Sequence, residues 1–320
     1  EYARIKKINV STWCTGYRRN SFCFTRGDTY HRSLINEPNS NWENIQINEN
    51  ISSKIKFYLN SRLKGSKDWI FFHKNPSFDS KKFFKENKID PNKPIIGLAT
   101  NVLWDAQIDY PSNFFSGMME WVYFTIDHFK KNQNIQLLVR VHPAEVNETK
   151  PSRQKVVEEI LKKYGKLPSN IILIPPENNI STYSIFEKCS SVIIYGTKMG
   201  IELSAMKKLV IVCGEAFIRN KKLGIDVENI DQYKQILNKI ENLNFLNFNL
   251  DETRSIKYAY HFFFRRMIPI KAVKQKSGWP PYDISLDSIK ELLPHKDKGL
   301  DVICNGITEG TDFIYDESDL

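Results

Sequence analysis

Between residue 93 and about residue 245 the chain carries five short apolar runs, and a helical pattern separates each run from the next. The runs are Pro94-Ile-Ile-Gly-Leu-Ala-Thr, residues 135–141, Asn170-Ile-Ile-Leu-Ile-Pro, residues 191–195 and Leu209-Val-Ile-Val-Cys. None alternates apolar with polar residues, so each reads as a strand covered on both faces. Residues 111–131, 152–164, 181–188, 199–206 and 230–240 read as helices. In the first, Phe114, Phe115, Met118, Trp121, Val122, Thr125, Ile126 and Phe129 share one face at three- and four-residue spacing. Gly165 stops the second. Strands that alternate with helices in this way specify an α/β fold, a Rossmann-like parallel sheet with helices on both faces.

The flanks are less regular. Residues 1–92 read as a partial N-terminal α/β domain followed by a linker. They hold short strand-like runs near Ile8-Asn-Val-Ser-Thr-Trp and Ser21-Phe-Cys-Phe-Thr, a turn at Gly27-Asp28, a helix over 51–63, and a short strand at Trp69-Ile-Phe-Phe-His. Residues 93–250 form the ligand-binding domain. Residues 251–320 begin with a long aromatic helix over 251–267 that carries Tyr258, Phe262, Phe263 and Phe264. Trp279-Pro-Pro, a helix near 286–293 and a loose acidic end follow.

Lys and Arg number 46 against 37 Asp and Glu, a net charge of +9. That excess suits an anionic partner: nucleotide phosphates, an acidic glycan or an anionic membrane surface met peripherally. It suits nucleic acid poorly, because the lysines are scattered and no basic–aromatic repeat accompanies them. Five cysteines without a C-x-x-C pair read as reduced thiols of a cytoplasmic protein, and not as a disulfide frame or a zinc site. No apolar run approaches the ~18 residues of a membrane span. The chain opens on Glu1-Tyr2 and reads as a fragment of something longer.

Ligands of open parallel sheets bind beyond the C-terminal strand ends. The candidates there are Asn101, Trp104 and Asp105 after the first strand, and Arg140, His142 and Glu145 after the second. Pro176 and Glu177 follow the third, Tyr195, Gly196, Thr197, Lys198 and Gly200 the fourth, and Gly214 and Glu215 the fifth. Gly196-Thr-Lys-Met-Gly can meet a phosphate with backbone N–H groups, a hydroxyl and an ammonium, or can be an ordinary capped turn. His142, fixed by Pro143, can bond a phosphate oxygen, with Arg140 two residues earlier on the same side of the strand. Glu202 can accept from ribose hydroxyls or stand as a solvated helical carboxylate. Asp105 can be a nucleophile, a base or a loop cap. On the N-terminal side, Arg26, Asp28 and His31 form either a second site or a solvated turn.

At these residues the chain resembles the capsule and lipopolysaccharide glycosyltransferases of the GT-B fold, and most of all the capsular polysaccharide proteins that include the bacterial Kdo transferases. His142-Pro143 and Tyr195-Gly-Thr-Lys-Met-Gly match the His-Pro motif and the Ser/Thr turn that hold the CMP of a CMP-sugar in that group. Glu202 with Lys207-Lys-Leu-Val-Ile-Val-Cys-Gly resembles the end of the donor site, although Lys207-Lys208-Leu209 stands where the family often has Gly-x-Pro. The resemblance spans about residues 93–270. It implies a glycosyltransferase with a nucleotide-sugar donor, a glycan or glycolipid acceptor, no cofactor and no metal. Asp105 would be the essential Asp of the Kdo-transferase branch, and Asp28 the base of an inverting alternative. CDP-alcohol phosphotransferases of the teichoic-acid type share the Arg-x-His-Pro strand end and remain a rival. So does a non-catalytic capsule-assembly protein.

Overall fold

The computed structural model describes residues 2–63, 67–68, 76–104, 113–147, 151–240, 248–276 and 280–316. The chain divides into two compact units: Phe72–Ser255, and Glu1–Phe71 together with Ile256–Leu320. Strands are numbered here in chain order, and helices are named by their residues.

In the unit Phe72–Ser255 the five apolar runs become β3 (Ile95–Ala99), β4 (Gln136–Arg140), β5 (Ile171–Ile174), β6 (Ser191–Ile194) and β7 (Leu209–Val212). A sixth strand, β8 (Ile225–Asp226), is two residues long and too short to leave a pattern in the sequence. The sheet runs in the order β5-β4-β3-β6-β7-β8, and every pair is parallel. Helix Met118–Lys131 supplies Trp121, Val122, Ile126 and Phe129 to the core; all four are fully buried. Each such side chain contributes roughly 1.5–3 kcal/mol by leaving water.

The helix starts at Met118, later than the apolar spacing predicts, so Phe114 and Phe115 precede it. The reason is local. Glu120 Oε2 accepts from both the backbone N–H and the hydroxyl of Ser116, at 2.6 and 2.8 Å, and this closes the first turn. At the other end Asn170 Nδ2 donates to the carbonyls of Phe129, Asn132 and Ile135. It thereby ties the helix end to the start of β4. The second helix also starts late, at Val156.

The other unit is antiparallel. Strands β1 (Ser11–Thr15), β2 (Ser21–Arg26) and β9 (Ile268–Pro269) form one sheet, and β10 (Val273–Gln275) pairs with β11 (Tyr282–Ile284). Helix Glu49–Leu63 brings Tyr58 against Phe263 and Phe264, with ring centroids 4.9 and 5.6 Å apart. The expected aromatic helix is helix Glu252–Tyr260 followed by a π-helical turn, His261–Arg265. The expected helix near 286–293 is a single 3₁₀ turn, Ile289–Leu292. Trp69-Ile-Phe-Phe-His and Trp279 lie outside the described residues.

The tail corrects an expectation. Where a loose acidic end was predicted, Lys298–Thr308 is a helix, and Phe313 and Tyr315 beyond it are buried. Asp297 caps it, accepting from Gly299 and Leu300 N–H. A Cβ at Gly299 would come within 1.7 Å of the Pro269 carbonyl oxygen, so only glycine lets the helix approach β9 this closely. Two glycines, Gly299 and Gly306, in an 11-residue helix hide its propensity from a sequence reading.

Candidate functional site

Register sets the rim. Ala99, Arg140, Ile174, Ile194 and Val212 pair across the sheet in one row, so all five strands end level. The chain builds outward from β3 through β4 to β5, then returns to the other side of β3 with β6, β7 and β8. The strand order reverses between β3 and β6, and such a switch point opens the crevice in which α/β sheets bind ligands.

A hydrogen bond crosses that point. Asn101, two residues past β3, accepts from Gly196 N–H at 3.3 Å through its carboxamide oxygen. Thr100, beside it, accepts from His142 N–H at 3.1 Å. The ends of β4, β3 and β6 are thus joined through His142, Thr100, Asn101 and Gly196. Nδ1 of His142 accepts from Ala144 N–H at 3.1 Å. A neutral ring with Nδ1 as acceptor keeps its proton on Nε2. His142 is half-buried, and Pro143 and Ala144 behind it are buried.

After β6 the turn runs through Gly196, Thr197 and Lys198 into helix Met199–Ala205. Thr197 Oγ1 accepts from Met199 N–H at 3.3 Å, a local cap. Gly200 sits where a Cβ would come 2.8 Å from Ile194 Cδ1 and 2.9 Å from Ile218 Cδ1, so it lets the helix lie close on the sheet. Lys198 Nζ lies 3.0 Å from Glu202 Oε1, and Tyr183 donates its hydroxyl to Glu202 Oε2. Glu202 is fully buried. Its carboxylate faces Lys198 and Tyr183 and holds the ammonium at the turn.

Arg140 is buried and turned toward the loop after β5. It donates to the Pro175 carbonyl at 2.6 Å, the Asn178 carbonyl at 3.0 Å and Thr182 Oγ1 at 3.2 Å. Burial lowers its pKa to about 10, partly offset by Glu177. In this geometry the guanidinium braces the loop after β5. Glu145 is also buried. Its Oε1 accepts from Val156 N–H at 3.2 Å, and its Oε2 has no hydrogen-bond partner. Desolvation raises this carboxyl to about 7, with Glu177 and Glu158 pushing the same way and the Val156 N–H and Lys155 opposing.

Tyr195 leaves the rim for the core, its ring 5.3 Å from Trp121. Burial raises its phenol to about 12. Trp104 is 59% exposed and donates from Nε1 to Ser152 Oγ at 2.9 Å. Asp105 lies outside the described residues. Asn113 Oδ1 accepts from Glu215 N–H at 3.1 Å and supports the turn after β7. Tyr183 and Asn113 carry no motif, and nothing in the sequence singles them out.

In the other unit, Arg26 donates to the carbonyls of Gly306, Gly310 and Thr311, at 2.6 to 2.9 Å. It satisfies the C-terminal end of helix Lys298–Thr308, where a cation is favoured. Asp28 Oδ1 accepts from Thr29 N–H, and the His31 ring lies 4.1 Å from that of Tyr30. These bonds tie Arg26 and Asp28 into the local fold. Among the described residues no group of three or more His, Cys, Asp or Glu side chains could hold a metal ion, and no helix is long and apolar enough to cross a membrane.

No protein-family model matches the chain, and no curated protein matches it by sequence. Solved structures do. KpsC of Thermosulfurimonas dismutans, a β-Kdo 2,4 transferase, superimposes with a TM-score of 0.52 at 12% identity, over 81% of this chain and 74% of that one. The fold is GT-B-like. At that identity the likeness concerns architecture alone: α/β units, one with a parallel sheet flanked by helices. The β-Kdo 2,7 transferase of the same organism's KpsC aligns at a TM-score of 0.44 and 15% identity, over 82% of this chain and 74% of that one. UDP-GlcNAc 2-epimerase from Neisseria meningitidis, bound to UDP-GlcNAc, aligns at 0.39 and 13%, over 57% and 48%. These two lower scores carry no weight in assigning the fold.

Proposed function

We propose that the protein is a glycosyltransferase that moves a Kdo-like sugar from a CMP-linked donor to a capsular or lipopolysaccharide acceptor. The observation that carries this reading is the bonded path from His142 through Thr100 and Asn101 to Gly196, which lies across the switch point of the sheet. It supports a nucleotide lying over the ends of β4, β3 and β6. His142 Nε2–H donates to a donor phosphate oxygen, and Pro143 fixes the ring's approach. Lys198, positioned by Glu202, balances the charge that builds on the leaving phosphate. Thr197 offers its hydroxyl at the same turn, and Gly196 and Gly200 let backbone come close. Arg140 acts through the loop it braces. The reading gives Asp105, on the loop leaving β3, the carboxylate role at the reacting carbon. Arg26, Asp28 and His31 have no part in it.

The test is to incubate the protein separately with CMP-Kdo and CDP-glycerol in the presence of acceptor glycan and to follow nucleotide release. CMP is expected from CMP-Kdo alone. His142→Ala and Lys198→Met should each lower turnover by about 10²-fold or more, the usual size of a lost proton donor or charge stabiliser. Their melting temperatures should stay near the parent value. CMP released from CDP-glycerol instead would replace glycosyl transfer by phosphotransfer. Release from neither, together with no CMP binding in a titration, would end the proposal.

A further inference from the structure

Strands β1 and β2 bring two cysteines face to face. The antiparallel register sets Cys14 opposite Cys23, with Thr12 opposite Thr25 one step along the same face. The hydrogen bonds from Gly16 N–H to the Ser21 carbonyl and from Gly27 N–H to the Val10 carbonyl fix the alternation along the hairpin. Counted from either, Cys14–Cys23 is a hydrogen-bonded pair. Side chains in such a pair meet here: the Thr12 and Thr25 hydroxyls are 2.8 Å apart. Cys14 and Cys23 are both free thiols. Cys23 is fully buried, whereas Cys14 is only partly so and lies on the edge strand of the sheet order β1-β2-β9.

We propose that Cys14 and Cys23 form a redox-active dithiol, an oxidation site at which a peroxide closes a reversible cross-strand disulfide. The Cα separation of a hydrogen-bonded strand pair, about 5.5 Å, is within disulfide range. The facing Cβ atoms, about 5 Å apart, must close to about 3.8 Å. The strands must therefore be drawn together, and a bond under that strain is readily reduced again.

The chemistry balances. One sulfur, as thiolate, attacks a peroxide oxygen; the O–O bond breaks and hydroxide leaves, which gives a sulfenic acid. The second sulfur attacks the first, the S–O bond breaks and a second hydroxide leaves. The two thiol protons convert both hydroxides to water, so two thiols and one hydrogen peroxide become one disulfide and two waters. Cys14 and the Arg266 guanidinium lower the Cys23 pKa against its burial and Glu37, while the Cys14 pKa is raised, so the first negative charge of the pair rests on Cys23. Attack through Cys14, the more exposed thiol on the edge strand, requires that its proton pass to Cys23.

The experiment uses the whole chain, dilute, treated with hydrogen peroxide and then denatured. Of the five thiols, three should remain, on a protein that still runs as a monomer without reductant. Arg18 and Arg19 lie between the two cysteines, so trypsin separates them. The digest should contain residues 8–18 joined to residues 20–26, two hydrogens lighter than the sum of the free peptides. Dithiothreitol should restore all five thiols. Cys23→Ser should stop at a singly oxidised Cys14; if that variant does not fold, the parent digest decides alone. Five thiols after treatment, loss mapped to Cys189, Cys213 or Cys304, or Cys14 oxidised further without the link would each overturn the proposal.

Discussion

Both units bury charge, and they do so in opposite ways. In the antiparallel unit, Glu37 lies 3.0 Å from His261 and 3.6 Å from Arg266, and all three side chains are at most 8% exposed. Aromatic rings close the surroundings, with Trp42 against Tyr258 and Tyr58 against Phe263. His261 and Arg266 hold the Glu37 carboxyl down at about 2 against its desolvation, and burial lowers the His261 pKa. In the parallel unit, Glu202 is as deeply buried, but its partner Lys198 is 21% exposed at the rim. The first network reaches solvent one step further out, through Arg265, 16% exposed and 3.4 Å from His261 Nδ1, whereas in the second the cation bonded to the carboxylate itself stands at the rim and can meet a ligand. This contrast separates structural charge from functional charge better than residue type does, since both networks combine a carboxylate with a cation.

The largest effect that would break this contrast is expected at Glu37. Glu37→Ala leaves Arg266 buried without its counter-charge and His261 without its carboxylate partner, and should cost about 3–5 kcal/mol. Hydrogen exchange should show the loss in β1, β2 and helix Glu49–Leu63 while β3 to β7 stay protected. Equal loss in both would show that the units unfold as one. The same group sets an acid limit. Its folded pKa is depressed, so its contribution is complete above pH ~4.5 and is lost as the pH falls toward 2.

Arg140→Ala should come next. It removes the hydrogen bonds to the Pro175 and Asn178 carbonyls and to Thr182 Oγ1, a loss of about 2–3 kcal/mol. Exchange should rise at the amides of residues 176–182. If the Tm holds and only nucleotide affinity falls, the guanidinium reaches the ligand after all, and the bracing role fails.

The smallest effect sharpens the picture at Glu145. Its folded pKa is raised to about 7, so its contribution is present below pH ~4.5 and is lost as the pH rises through 7. Glu145→Gln keeps an acceptor for Val156 N–H and removes the titration. It should flatten that decline, by roughly 2 kcal/mol at most between pH 5 and 8. An unchanged stability–pH profile would show that Glu145 stays ionised in the fold.

The parallel sheet was legible because a strand buried on both faces must be apolar along its length, as Ile95–Ala99 and Leu209–Val212 are. The rim positions followed, since a strand's end is read where its apolar run stops, and His142 and Gly196 stand there. Arg140 shows where that reading ends. Spacing places its Cα at the strand end, but the three acceptors that hold its side chain come from residues 35 to 42 positions away. Glu202 differs only in degree: one partner, Lys198, lies one helical turn away and is local, while Tyr183 comes from a separate helix. The tail helix escaped notice because its stability comes from packing on β9 and not from its own composition.

The sequence by itself determined the strands β3 to β7, the helices between them and the parallel class of their sheet, because these are settled by periodicity within a few residues. Only the tertiary structure decided the strand order, and with it the switch point between β3 and β6 at which Asn101 meets Gly196 across 95 residues. Neighbours in a sheet are chosen by long-range pairing and crossover geometry, and no local pattern records that choice.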